Sequence, residues 1–201
     1  MWLNTLSGSH TLLQWRTQYV SNTPISHIFL PHFLVQKRYA SLKTALLNES
    51  FYPKSSDLFD LSQTSDLRTA KQPLLRDFQR FLSSSEMHEL ISAVTDIKTR
   101  GQVDAFGSLY TDTDYLLPHD DRLESRKVAF VFYLSTLTRS DGGELAFFET
   151  DRKHNPTKEI KLYRPKENAL LLFTVSKRSW HCVREIRKPV KRYAIGGWFH
   201  G

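Results

Sequence analysis

The second half of the chain carries short apolar segments that are separated by turn residues. These segments are 128–134, 142–148, 168–173 and 192–201, and glycine, proline or polar residues stand between them. Short β-type runs that alternate with turn residues are typical of a small barrel or sandwich. We therefore predict a β-rich core over residues 101–201.

Helical periodicity dominates the first hundred residues. Val35, Tyr39, Leu42 and Leu46 follow each other at spacings of four, three and four residues within 34–48, which predicts an amphipathic helix. We expect the helices of this half to brace one face of the predicted sheet.

Four further segments of this half have readable patterns. Residues 73–82 and 86–95 are predicted helices, the second with a capping box that starts at Ser83. Residues 25–33 are bracketed by prolines and predict an edge strand. Residues 52–70 are rich in Ser, Asp and Thr and predict a connecting loop with one strand at most, and a long loop of this kind is often functional.

Length and composition favour one globular domain. The chain has 201 residues, of which 40% are hydrophobic and 12% aromatic. We divide the domain into a helix-rich support region, 1–100, and the β-rich core. We expect no membrane span, since no apolar run approaches the roughly 20 residues that one needs. Gln14 and Arg16 interrupt the N-terminal apolar pattern, so we also expect no secretory signal.

The single cysteine, Cys182, excludes an internal disulfide and a thiolate zinc cluster. This predicts an intracellular protein, cytoplasmic or, in a eukaryote, also nuclear. Strand alternation should turn Cys182 away from the neighbouring His181, as a small buried hydrophobic residue.

The net charge of +7 is unevenly distributed. Residues 151–193 contain 13 Lys or Arg against 4 Asp or Glu, which leaves a balance of −2 for the rest of the chain. A field of this sign would attract a phosphate-rich partner such as ribosomal RNA. A merely solvated basic surface explains the count equally well.

Candidate metal ligands surround His119-Asp120-Asp121. In extended backbone His119 and Asp121 project from the same face, so this short segment can supply two ligands to one metal. His181 follows 62 residues after His119. Two histidines and one carboxylate form the facial triad of non-haem Fe(II) oxygenases. A lone His-x-Asp is more often structural, and Asp121 could also be a turn or capping residue.

Arg192 is a candidate anion-binding residue. By strand periodicity Arg192, Ala194, Gly196 and Trp198 share one face. A cation that is buried among such residues needs an anionic partner, and a guanidinium matches a carboxylate with two parallel hydrogen bonds. The alternative is a solvent-facing Arg192 in a basic patch with Lys188 and Lys191.

These motifs together resemble a known family. Apart from the triad and Arg192, the similarity is carried by segments 84–86, 106–110, 126–134, 142–145 and 197–201, and it covers about residues 25–201. The chain resembles the Fe(II)/2-oxoglutarate-dependent dioxygenases, in particular their prolyl hydroxylase branch and the ribosomal-protein prolyl 3-hydroxylase family. Members of that family in eukaryotes carry a second, degenerate barrel after the segment that 197–201 matches, so the resemblance covers the catalytic domain only.

The resemblance implies a double-stranded β-helix of the jelly-roll or cupin type, within a mostly β fold of the α+β class that has helices on one face. It implies Fe(II) on His119, Asp121 and His181, with 2-oxoglutarate and O2 as co-substrates and ascorbate as an accessory reductant. The remaining site residues are Arg192 and Tyr133 on the distal carboxylate of 2-oxoglutarate, Leu145, Phe147 and Tyr110 as walls of the co-substrate pocket, and Trp198, Asp120 and Arg122 in the substrate pocket.

The implied activity is hydroxylation of a prolyl residue in a ribosomal protein, with release of succinate and CO2. In prolyl hydroxylases a mobile segment near the site contacts the substrate, and 52–70 or 111–117 could be that segment. Three alternatives remain open. An AlkB-type nucleic-acid demethylase would have a second arginine where this chain has Trp198. A non-catalytic or zinc-binding β-barrel would not respond to 2-oxoglutarate, and a structural ribonucleoprotein-binding module would leave the metal ligands and Arg192 unexplained.

Overall fold

The computed structural model describes residues 1–4, 8–123 and 125–201, with the backbone alone for residues 8–10. Its helices are α1 (Gly8–Ser21), α2 (Gln36–Leu47), α3 (Pro73–Leu82) and α4 (Ser85–Thr95), with a 3₁₀ turn at Leu67–Thr69. Its strands are β1 (His27–Leu30), β2 (Tyr52–Ser56), β3 (Phe59–Asp66), β4 (Asp104–Tyr110), β5 (Tyr115–His119), β6 (Arg126–Tyr133), β7 (Leu145–Thr150), β8 (Pro156–Tyr163), β9 (Ala169–Thr174), β10 (His181–Val183) and β11 (Arg192–His200).

The strands form two antiparallel layers. One layer has the order β1-β9-β6-β11-β4 and the other has the order β5-β10-β7-β8, while β3 pairs with both β4 and β5 and joins the layers along one side. A cluster of inward-facing residues, among them Ala129, Leu145, Leu171 and Ala194, packs between the layers. This is the predicted double-stranded β-helix, and β1 is the predicted edge strand.

Strand β6 shows why its sequence is apolar at nearly every position. Val128, Phe130 and Phe132 belong to the cluster that packs against the helices, whereas Ala129 and Tyr133 belong to the cluster inside the barrel. Because both faces are covered, the alternation of polar and apolar residues is lost, as in other strands that are buried on two sides. The helices therefore cover one face of the β-structure, as predicted.

Three expectations for the support region were wrong or incomplete. Residues 52–70, which were expected to form a loop, contain the hairpin β2–β3, whose short turn-forming side chains concealed the strand pattern. The cap of α4 is Ser84, which accepts a hydrogen bond from the Met87 N–H, and the Ser83 hydroxyl instead accepts one from Val103 N–H. Helix α1 was not predicted, because its sequence shows little helical amphipathicity.

Other expectations are confirmed. Helix α2 buries Tyr39, Leu42 and Leu46. As a separate finding, none of the described helices is long and apolar enough to cross a membrane. Cys182 is buried on the face opposite to His181, with Ala146 and Phe148.

Asn168 connects the support region to the barrel. Its side chain accepts a hydrogen bond from Leu34 N–H and donates one to the Leu34 carbonyl, each at 2.9 Å, so the carboxamide replaces a neighbouring peptide group. Its own N–H donates to the Tyr133 carbonyl, and its carbonyl accepts from Phe33. Asn168 is 3% exposed and has φ of 57°, a left-handed conformation that asparagine tolerates better than most residues.

We predict that Asn168→Gly lowers the free energy of unfolding by about 2–4 kcal/mol, since two buried backbone groups lose their partners. Glycine adopts the left-handed backbone without strain, whereas alanine does not. Asn168→Ala should therefore be less stable than Asn168→Gly. Chemical denaturation measures both values. The exposed Gln102→Ala serves as control and should stay within about 0.5 kcal/mol of wild type, since the Gln102 side chain forms no hydrogen bond with a described residue. An Asn168→Gly protein as stable as that control would contradict this account.

Candidate active site

His119 and His181 face each other across two paired strands. His119 is the last residue of β5, His181 is the first of β10, and the two are register partners. On its other side His181 pairs with Phe147 of β7. This register brings two imidazoles that are 62 residues apart in sequence to a ring-centroid distance of 4.2 Å.

Asp121 joins them by a route that the sequence did not predict. The residue lies beyond the end of β5 and has φ of 61°, so it is not the next same-face residue of an extended strand. The turn nevertheless directs its carboxylate to both imidazoles, with 3.4 Å from Oδ1 to His119 Nε2 and 3.4 Å from Oδ2 to His181 Nε2. Strand geometry was thus the wrong reason for grouping these residues.

The two histidines present the same nitrogen to the site. His119 Nδ1 lies 2.9 Å from the Leu117 carbonyl and His181 Nδ1 lies 2.7 Å from the Ser179 carbonyl. A carbonyl only accepts, so each Nδ1 carries the proton and the Nε2 lone pair is directed towards the carboxylate. Backbone partners of this kind fix the tautomer and orientation of metal-binding histidines.

Electrostatics favour an ionised carboxylate and a neutral second imidazole. Burial acts to raise the pKa of Asp121, but the neighbouring His181 and His119, with a contribution from the Trp198 indole, hold the pKa well below its usual range. Burial and the charge of His119 lower the pKa of His181 to about 4. Burial also acts to lower the pKa of His119, but Asp121 outweighs it and raises that pKa.

The geometry fits a metal ion. One ligand atom from each of His119, Asp121 and His181 lies within 4.8 Å of the other two. Ligand atoms that are each about 2.1 Å from an ion stand about 3.0–3.4 Å apart for octahedral to tetrahedral angles, close to the observed 3.4 Å. Two histidines and one carboxylate are the donor set of non-haem Fe(II) sites.

Arg192 lies in the same interior. The residue is 1% exposed and forms no ion pair with a carboxylate among the described residues. Its Nε donates a hydrogen bond to the Gly143 carbonyl at 2.9 Å, and its guanidinium carbon lies 4.9 Å from the ring centre of Tyr110 and 5.4 Å from that of Tyr133. A solvent-facing Arg192 is therefore excluded.

The surroundings of Arg192 fit the distal carboxylate of 2-oxoglutarate. The buried Tyr133 hydroxyl has no hydrogen-bond partner among the described residues, so a carboxylate could accept from it and from the guanidinium. Gly143 has φ of 72°, and a Cβ atom there would lie 3.2 Å from Arg192 Cδ and closer to two other side chains. Only glycine suits this close approach.

A cavity of about 390 Å³ connects the metal ligands to Arg192. Of the predicted site residues, His119, Asp121, His181, Arg192, Tyr110, Leu145 and Trp198 line it. Tyr133 lies behind Arg192 and is fully buried, and Phe147 packs in the interior cluster next to it. Asp120 and Arg122 pair with each other, 2.6 Å apart, and are not among the lining residues. The substrate-pocket role of those two stays a prediction.

Segment 52–70, one of the two segments that were expected to reach the site, forms one wall of this cavity, but sequence reasoning did not identify its lining residues. Lys54, Phe59, Leu61 and Gln63 of the β2–β3 hairpin line it. The alternation of Phe59 and Leu61 with polar residues was the available signal, but it is short and lies in a Ser-rich segment. Of the other candidate segment, 111–117, only Leu116 reaches the cavity.

Arg126 was quoted only as part of a motif, yet it lies beside the candidate metal ligand Asp121. Its guanidinium carbon stands 3.3 Å from the centre of the Trp198 ring, and Nη1 donates to the Asp121 carbonyl at 3.4 Å. Burial lowers the pKa of Arg126, although the nearby Asp121 and Asp104 oppose that shift. This contact holds the Trp198 indole beside the Asp121 carboxylate.

Comparisons with known proteins agree with this site. The chain is 34% identical over 191 residues to Prolyl 3-hydroxylase OGFOD1 of Xenopus laevis, an alignment that covers 94% of this chain and 37% of that relative. The chain thus spans little more than a third of the relative's length.

Solved structures show the same fold. A prolyl-4-hydroxylase from Pseudomonas putida has a TM-score of 0.73 at 15% identity, with 92% of this chain and 98% of that chain covered. A prolyl hydroxylase from Trichoplax adhaerens, solved with a hypoxia inducible factor peptide fragment, has a TM-score of 0.72 at 17% identity, with 97% and 94% covered.

The family comparison covers the part of the chain that holds the site. Residues 105–200 match the 2OG-Fe(II) oxygenase superfamily and include His119, Asp121, His181 and Arg192. Residues 105–200 of this chain are therefore a 2OG-Fe(II) oxygenase domain.

Proposed function

We propose that this protein is an Fe(II)- and 2-oxoglutarate-dependent oxygenase that hydroxylates a prolyl residue of a protein and releases succinate and CO2. One observation carries the proposal: the His119–Asp121–His181 group and the buried, unpaired Arg192 open into a single cavity. A metal site alone would not require a guanidinium inside the barrel, and an unpaired buried cation is costly.

The residues divide the work between them. His119, Asp121 and His181 would hold Fe(II), which couples the oxidative decarboxylation of 2-oxoglutarate by O2 to hydroxylation of a C–H bond. Three protein ligands leave coordination positions open. Arg192 and Tyr133 would bind the distal carboxylate and so orient the co-substrate, while Tyr110 and Leu145 exclude water beside it.

Two observations support a prolyl residue as the target. The relative from Xenopus laevis that aligns over most of this chain is named a prolyl 3-hydroxylase. The cavity wall near Asp121 is formed by Phe106, Ala129 and Trp198, an apolar surface that suits a saturated five-membered ring. Trp198 also occupies the position where an AlkB-type demethylase would have its second arginine, which disfavours that alternative.

We further propose a ribosomal protein as the substrate and an intracellular, cytoplasmic or nuclear location. Motif similarity to the ribosomal-protein prolyl 3-hydroxylases supports the substrate, and the single buried, unpaired Cys182 is compatible with a reducing compartment. The basic region 151–193 supports proximity to ribosomal RNA. Its Arg152 and Arg178 border a surface cleft of about 720 Å³ that Glu149 and Asp151 also line, and neither arginine forms an ion pair with a described residue.

We predict that Mn(II) and 2-oxoglutarate together stabilise the wild type against heat. At about a hundredfold excess over Kd the gain is about 2.7 kcal/mol, on the order of 5 °C for a chain of this size. Arg192→Lys keeps the charge but loses the two-pronged donor, so the 2-oxoglutarate-dependent part of the shift should nearly disappear. His119→Ala should lose the Mn(II)-dependent part as well.

The neighbouring exposed Lys191→Ala is the control for this experiment and should retain the full shift. The readout is the change on adding ligand, so a lower melting temperature of the unliganded variants does not obscure it. A wild type that binds Mn(II) but does not respond to 2-oxoglutarate would favour the non-catalytic barrel.

We predict that active enzyme adds one oxygen atom to a proline of a ribosomal protein. Ribosomal proteins are incubated with enzyme, Fe(II), 2-oxoglutarate and ascorbate, and peptides are sequenced by mass spectrometry. The same incubation with His181→Ala should leave every proline unmodified, because the metal loses a ligand. Succinate formation without any oxidised proline would remove the prolyl assignment.

We predict that Arg152→Glu/Arg178→Glu weakens binding to purified ribosomes and reduces its salt dependence. Each contact with a phosphate that is lost lowers the slope of log K against log salt by about 0.9. The control variant Lys37→Glu/Lys98→Glu changes the net charge by the same amount on the helical side and should bind like wild type. Equal loss in both variants would show that only total charge matters.

A further inference from the structure

We propose that Gln63 selects the protein substrate by donating a hydrogen bond from its side-chain amide to a peptide carbonyl at the target proline. This inference rests on the proposed prolyl hydroxylation and adds a residue that neither holds the metal nor binds the distal carboxylate of 2-oxoglutarate. It starts from the hairpin β2–β3, which forms one wall of the cavity.

Gln63 has an unused polar group inside that cavity. The residue lines the cavity and is half-buried, and its carboxamide has no hydrogen-bond partner among the described residues. Two other polar side chains of the lining stand where the proposed arrangement has the metal and the co-substrate, Trp198 beside Asp121 and Tyr110 against Arg192, and the Trp198 Nε1 also lacks a partner among the described residues. The remaining ones are engaged or exposed. Ser108 lies 3.5 Å from the Ala194 carbonyl, Arg126 stacks on Trp198, and Lys54 is an exposed residue of β2.

The position of Gln63 favours the substrate over the co-substrate. Gln63 pairs with Ser108 of β4, and Ser108 pairs with Ala194 of β11, two residues from Arg192 and four from Trp198. Strand β3 joins the two layers, so Gln63 approaches the cavity from its side. In the proposed arrangement the polar ends of 2-oxoglutarate meet the metal and Arg192, and its central methylene groups offer nothing to an amide.

Proline chemistry explains why the wall should supply a donor. The prolyl nitrogen carries no hydrogen, so the target residue and the one before it present carbonyl acceptors on both sides of the ring. The apolar residues around Gln63 in the lining, Phe106, Ala129 and Val131, offer those carbonyls no donor, and the unpaired Trp198 Nε1 lies beside the Asp121 carboxylate. A peptide carbonyl that leaves water without a new partner loses binding free energy, and the Gln63 amide prevents that loss.

Steady-state kinetics with two variants tests the assignment. The probe is a synthetic peptide from a proline-containing segment of a ribosomal protein, chosen as the one that wild-type enzyme hydroxylates fastest. Gln63→Met keeps the length of the side chain but removes the donor, and Gln63→Glu leaves only acceptors. We expect the peptide KM to rise about tenfold for Gln63→Met, the value of one hydrogen bond, and further for Gln63→Glu, which repels the carbonyl.

The kcat for the peptide and the affinity for 2-oxoglutarate should remain at the wild-type values in Gln63→Met. The exposed Gln102→Met is the matched control and should change none of these quantities. A general loss of folding would lower every parameter, whereas the proposed role changes the peptide KM alone. An unchanged peptide KM, or a loss of 2-oxoglutarate affinity in its place, would overturn the inference.

A modified substrate identifies the acceptor. In a peptide whose prolyl carbonyl, or the carbonyl before it, is a thioamide, sulfur is the weaker acceptor. We expect one of the two thioamide peptides to bind the wild-type enzyme less tightly than the unmodified peptide does. The Gln63→Met enzyme should bind that thioamide peptide as tightly as it binds the unmodified peptide. If the loss of affinity caused by the thioamide and the loss caused by Gln63→Met add in full, the Gln63 amide does not contact that carbonyl directly. If the wild-type enzyme consumes 2-oxoglutarate but hydroxylates no prolyl peptide, the proposed function is wrong. The role of Gln63 then has no basis either.

Discussion

The pairing of β10 with β5 and β7 is the constraint on which the site depends. A strand of only three residues carries His181, and hydrogen bonds on both sides fix its register. A shift by one residue would turn the imidazole out of the barrel and place Cys182 inside, because successive side chains point to opposite faces. The helices stabilise this arrangement indirectly. They cover the outer face of β6, β9 and β11, so the second layer has a firm surface on which to pack.

Much of the fold and most of the site could be predicted from sequence. The long apolar runs of β6 and β9 and the periodic helix α2 carry strong local patterns, and they appear where they were expected. Histidine and arginine are rare within apolar strand segments, so His119, His181 and Arg192 could be identified as candidate functional residues. What failed depended on local backbone. The φ of 61° at Asp121 and the cap at Ser84 leave no periodic signal, and the hairpin leaves only the short alternation around Phe59 and Leu61 within a Ser-rich segment. Charge pairing is equally invisible in sequence, and Asp120 and Arg122 proved to be partners of each other.

The cavity separates chemistry from recognition. The three metal ligands and Arg192 come from β5, its following turn, β10 and β11, strands in the interior of the sheet order. The hairpin wall is attached along β3, and β2 pairs with β3 alone among the described strands. Residues of β2 can therefore change without altering the register that places the metal ligands, whereas β3 also pairs with β4 and with β5, the strand that carries His119. The basic region 151–193 is a third region, and its Arg152 and Arg178 border a cleft whose lining residues differ from those of the cavity.

The placement of Cys182 has a practical consequence for labelling. Burial raises the pKa of this thiol to about 11, and its side chain packs with Ala146 and Phe148 on the face away from the cavity. The reactive thiolate is therefore scarce at neutral pH, and maleimide dyes should leave the native protein unmodified. A cysteine introduced at an exposed residue such as Leu58, in the turn of the hairpin, would then be the one reactive thiol among the described residues. A spectroscopic probe at that site could report movement of the wall without prior removal of the native cysteine.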